Sequence, residues 1–91
     1  MLYMVIEKFR AGAAAEVYQR ARERGRRLPA GLEYIASWVD CDYTTCFQLM
    51  NTDDPALFEV WTQEWQDLVE FEIIPVRPSA EAAKLIESPA G

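Results

Sequence analysis

Between Leu2 and Arg77 the spacing of apolar residues alternates between the two-residue period of a strand and the longer period of a helix. Six segments follow, in the order strand, helix, strand, strand, helix, strand. Residues 2–9 form the first strand, with Met4 and Ile6 on one side and Tyr3, Val5, Glu7 and Phe9 on the other. Ala11, Gly12 and Ala13 lead into a helix that is expected to end near Arg27. Its stripe is Ala14, Val17, Tyr18 and Ala21, small enough to lie close to a sheet. Pro29, Ala30 and Gly31 break it. Residues 32–40 read as a strand with Leu32, Tyr34, Ala36 and Trp38 on one face and Ile35, Ser37 and Val39 on the other. After a tight connection, residues 45–52 set Phe47 and Leu49 against Cys46, Gln48 and Met50, so the two strands form an antiparallel hairpin.

Asp54 and Pro55 mark a helix start, a capping side chain followed by a residue suited to the first turn. Leu57 or Phe58, Trp61, Trp65 and Leu68 follow with helical spacing. Residues 69–76 form the last strand, Val69, Phe71 and Ile73 against Glu70, Glu72, Ile74 and Val76; Pro75 suits an edge or a strand end. Ser79 caps a short final helix over residues 80–87.

This order predicts an α+β domain: a ferredoxin-like βαββαβ unit with a four-stranded antiparallel sheet, helices on one face, and a short C-terminal helix. One domain spans residues 1–87, and residues 88–91 form a flexible tail. The second sheet face is bare and largely apolar, which calls for a partner. A C2 homodimer that buries the same face of each copy meets that need.

Composition strengthens the need. Ninety-one residues bury roughly 60 to 65% of their unfolded surface, a marginal core without further support. An apolar fraction of 51% excludes a disordered chain. The net charge of −6, from 15 acidic and 9 basic side chains, argues against binding to nucleic-acid backbones. Arg20, Arg22, Arg24, Arg26 and Arg27 cluster, but their spacing spreads them around a helix balanced by Glu16 and Glu23. No apolar run approaches the roughly 20 residues of a membrane span, and residues 1–6 are too short for a secretion signal. The expected setting is the cytoplasm, where Cys41 and Cys46 stay as thiols.

The chain has no histidine. That removes histidine-based acid–base catalysis, and two cysteines alone do not complete a zinc site, so neither metal nor cofactor is expected. Trp61 and Trp65, one turn apart, read as core. Tyr34, Trp38, Gln48, Met50 and Glu72 are the candidate ligand-binding residues, large apolar bodies with a few polar heads. Such a set suits a small-molecule cavity and equally a dimer interface. Glu72, between Phe71 and Ile73 on a strand expected to be central or nearly so, is the candidate general acid or base, with Tyr34 and Tyr3 as sources of phenolic hydroxyls.

The segments MLYMVIE (1–7), IASWVD (35–40), CFQLMNTDD (46–54) and WQDLVEFEIIPV (65–76) resemble a bacterial family of small proteins known as a domain of unknown function. The likeness spans roughly residues 1 to 84. The family in turn resembles the dimeric α/β-barrel superfamily, in which two ferredoxin-like subunits pair bare sheet faces around a cavity-bearing barrel. The resemblance implies a homodimer that binds a small apolar or aromatic molecule. The superfamily's cofactor-free monooxygenases, cyclases and isomerases imply, as an alternative, an enzyme acting on an aromatic or polyketide-like substrate. Its haem-dependent branches use a histidine that this chain lacks. A third reading is a ligand-free structural or interaction dimer. The residues leave open whether the protein is catalytic, and they do not identify the ligand.

Overall fold

A computed structural model describes residues 1–87, so the tail expected over residues 88–91 lies outside the described residues. Four strands and three helices occur among them: β1 (Leu2–Phe9), α1 (Ala14–Arg24), β2 (Glu33–Val39), β3 (Thr45–Asn51), α2 (Leu57–Thr62), β4 (Val69–Val76) and α3 (Ser79–Glu87). The strands form one antiparallel sheet in the order β2-β3-β1-β4. This is the ferredoxin-like arrangement that the period changes predict, with the final helix added.

Both central strands run through the core. Tyr3 and Val5 of β1 are buried with Val17 of α1 and with Phe58 and Trp61 of α2. Tyr3 meets Phe58 edge-on at 5.0 Å, and Phe9 meets Tyr18 at 6.3 Å. Both helices therefore cover the face that carries the odd-numbered residues of β1. The register puts Met50, Gln48 and Cys46 of β3 and Ile73 and Phe71 of β4 on that same face. Met4, Ile6, Leu49, Phe47, Ile74 and Val76 occupy the opposite, open face.

Four expectations need correction. First, β2 does not alternate without interruption: its register to β3 shifts between Tyr34 and Ala36, leaving Ile35 as the extra residue of a bulge. Tyr34 then lies opposite Met50 and Trp38 opposite Phe47, so Tyr34 and Trp38 fall on different faces. Bulges concentrate on edge strands, and β2 is one. Second, β4 is the other edge, so Glu72 does not sit on a central strand, and Pro75 occupies the edge position that its missing N–H suits.

Third, α1 ends at Arg24, because Gly25 turns the chain with φ 68° and ψ −166°, a conformation that side chains with a Cβ avoid. Fourth, α2 is a short helix. Asp54 accepts a bond from the Ala56 N–H at 3.1 Å in the turn before the helix, but α2 begins at Leu57 with Ala56 at its N-cap and no side-chain cap, and past Thr62 the chain tightens into turns. The N–H groups of Glu64 and Trp65 bond back three residues, to the carbonyls of Trp61 and Thr62. Trp61, Trp65 and Leu68 are nevertheless all buried, so the apolar spacing correctly marks the core.

Candidate functional site

The site grows from Glu7. Period two places this carboxyl on the same row as Tyr3, Val5 and Phe9, beneath α1, where it is only 5% exposed. Across the sheet it faces Cys46 of β3 on one side and Phe71 of β4 on the other. Gln48, also buried, donates from Nε2 to the Glu7 carboxylate. The Gln48 Oε1 in turn accepts from Arg26 Nε at 3.4 Å.

Arg26 follows Gly25 in the connection from α1 to β2, and the sheet and α2 side hold it by both its backbone and its side chain. Its carbonyl accepts the indole N–H of Trp61 at 2.8 Å and that of Trp65 at 3.3 Å. Its guanidinium lies over the Tyr34 ring, 3.6 Å from the centroid. The Tyr34 hydroxyl shares a 2.7 Å hydrogen bond with the Ser37 hydroxyl. A continuous polar line thus runs from Ser37 and Tyr34 through Arg26 and Gln48 to Glu7, with Cys46 at its end.

Glu7, Gln48, Cys46, Arg26 and Ser37 of this line border a partly open cavity of about 240 Å³ between α1 and the sheet. Phe9, Val17, Tyr18, Trp61, Trp65 and residues 37–39 of β2 also line it. Burial pushes the Glu7 carboxyl up to about 7, and the neighbouring Cys46 thiol and Arg26 charge hold it from rising further. Burial also pushes the Cys46 thiol up to about 12, with the Glu7 charge adding to the effect, so this cysteine is a poor nucleophile. Among the described residues no three His, Cys, Asp or Glu side chains come together to hold a metal ion.

The structure separates the residues singled out from the sequence. Gln48 lies in the cavity wall and Tyr34 supports Arg26 beside it. Trp38 reaches the cavity rim, but its register with Phe47 belongs to the open face and it is 57% exposed. Met50 is fully buried core, and Tyr3 packs against Phe58. Glu72 pairs with Ile6 on the open face of the edge strand, exposed and on the other side of the sheet from Gln48. The buried carboxylate is Glu7 instead. Its signal was an acid on an otherwise apolar strand row. Arg26 was hidden within the arginine run, whose first member is also tied down: Arg20 grips Asp67 through two bonds, at 2.8 and 2.7 Å. That pairing holds the Asp67 carboxyl down at about 2.

Among the described residues, no helix is long and apolar enough to cross a membrane. No curated protein and no solved structure matches the chain. One family model, described as domain of unknown function (DUF3303), matches residues 1–89, nearly the whole sequence, and the chain belongs to that family.

Proposed function

We propose that this protein binds a compact, largely aromatic molecule in the cavity beneath α1, and that it works as a homodimer joined through the open sheet face. The observation that carries the ligand reading is the polarity of the cavity: a mostly aromatic and aliphatic lining with Glu7, Gln48 and Arg26 as convergent polar groups. Binding sites for small molecules have this composition, apolar walls with a few convergent polar groups. A volume of about 240 Å³ lies below the roughly 300 Å³ at which drug-sized sites begin, so the ligand has one or two rings and one hydrogen-bonding group. The pairing of copies is supported by the exposed Trp38, Phe47 and Ile74 on the open face. A cytoplasmic setting agrees with two free cysteines.

Trp61 and Trp65 line the cavity and report on its contents. Titration with phenol, indole and 2-indanone is expected to change their fluorescence saturably with at least one of the three. An Ala21→Phe variant, shown to be folded by circular dichroism, fills the space and abolishes the change. If none of the three probes produces a saturable change at millimolar concentration, the ligand reading fails and a ligand-free dimer remains.

A further inference from the structure

We infer that the cavity is a proton-transfer site, in which Glu7 removes a proton from a carbon next to a carbonyl group and Arg26, bonded to Gln48, stabilises the negative oxygen that results. The inference rests on the ligand reading above and adds a reaction and a substrate class to it: compact, neutral aryl or conjugated ketones bearing an acidic C–H.

Three features of the geometry support it. Among the described residues Glu7 is the only carboxylate in the cavity lining, and it is buried there with no direct ion pair among them. A carboxylate without water around it is a stronger base towards a bound ligand than one in solvent. Gln48 donates to Glu7 with its amide nitrogen and so fixes the orientation of the carboxylate. The same amide accepts from Arg26, which places a guanidinium one side chain away from the base, at the cavity wall. Stacking on Tyr34 and the two indole bonds to its carbonyl hold Arg26 in place before any ligand arrives. Preorganised positive charge near a developing oxyanion is the arrangement that lowers the barrier to enolisation.

The step balances without an oxidant or reductant. The C–H bond breaks, its electron pair forms the carbon–carbon π bond, and the carbonyl π electrons move to oxygen opposite Arg26. The proton passes to a Glu7 carboxylate oxygen. Its return to the same carbon exchanges hydrogen with solvent; its return to a conjugated carbon shifts the double bond.

The titratable and charged groups facing Glu7 are Cys46 from β3, Arg26 from the connection after α1, and Tyr18 from α1. β4 presents Phe71 and α2 presents Trp61, neither of which titrates. Glu7 must be ionised to act, so the rate rises with pH through its titration near about 7.

The test follows 2-indanone in D₂O by ¹H NMR, reading loss of the methylene signal to deuterium. The full-length protein is expected to accelerate exchange about 100-fold or more over the Glu7→Gln variant at equal concentration. Glu72→Gln leaves the rate unchanged. Arg26→Met keeps the backbone carbonyl that holds both tryptophans, slows exchange and moves the pH midpoint upward, which a purely structural role would not do. Should Glu7→Gln fail to fold, this shift of midpoint carries the test. Saturable binding of 2-indanone with exchange no faster than buffer, or equally fast in Glu7→Gln, overturns proton transfer and leaves the ligand reading standing. Absence of 2-indanone binding while phenol or indole binds overturns the ketone class assigned here, and absence of all three overturns both readings.

Discussion

At the scale of single residues, Glu7 dominates. An ionised carboxylate is disfavoured where water is excluded, and the single amide bond from Gln48 does not restore what hydration supplied. The folded protein therefore holds a proton on Glu7 up to about pH 7, whereas an unfolded chain releases it near 4.5. Between those values the folded state binds more protons than the unfolded one, so stability from this group falls as pH rises. Its contribution is complete below about pH 4.5 and lost above about pH 7, a loss of about 3 kcal/mol. Urea unfolding at pH 5 and pH 8 is expected to show this decline in the natural protein and to show it flattened in Glu7→Gln. Parallel stability curves for the two proteins would refute the buried-acid account. The odd-numbered row of β1 showed Glu7 among apolar neighbours from the sequence alone. What the row could not show is that, among the described residues, no cationic side chain comes close enough to pair with it directly.

At the scale of elements, two local irregularities shape the site. The bulge at Ile35 turns Tyr34 toward the helices and leaves Trp38 on the open face. A perfectly alternating strand would put both on one face, and a bulge leaves no reliable mark in composition. Gly25 is the second irregularity. Its positive φ ends α1 and delivers Arg26 to the cavity. Gly25→Ala forces a Cβ into a backbone region that such residues avoid, although no neighbouring atom blocks the space. A loss of about 1–3 kcal/mol in unfolding free energy is expected from backbone strain alone. A neutral substitution would mean that the turn relaxes without disturbing Arg26. The shortening of α2 belongs to the same scale. Its buried aromatic positions were legible, but the tightening after Thr62 follows from Trp61 and Trp65 both reaching one carbonyl.

At the scale of the whole molecule, the thinnest dimension is 17 Å, the depth of one sheet and one layer of helices. The radius of gyration, 15.2 Å, exceeds the roughly 12 Å of a compact domain of this length. α3 accounts for part of the excess: it buries none of its residues, and Ile86 is 85% exposed. Short helices without tertiary packing are marginal in water, and among the described residues α3 is the one helix of the three with no buried residue. Light scattering at about 10 µM is expected to give twice the 10.4 kDa chain mass. Trp38→Glu combined with Phe47→Glu places charges on the open face and is expected to yield a folded monomer. A monodisperse natural monomer would overturn the pairing.

The sequence by itself determined the order of the elements, the limits of β1 and β4, and how the residues within each of β1, β3 and β4 alternate between two sides, but not which sides of different strands share a face. These are local properties: side-chain period and chain breakers act over a few residues, wherever the strand ends up. The tertiary structure alone decided the site. Gln48 reaches Glu7 across 41 residues of chain, and Trp61 reaches the Arg26 carbonyl across 35. Such contacts depend on sheet register, on a bulge and on a glycine turn acting together. The candidate set of Tyr34, Trp38, Gln48, Met50 and Glu72 therefore divided between two faces and the core, while a buried acid and a tethered arginine converged on a cavity that no local pattern describes.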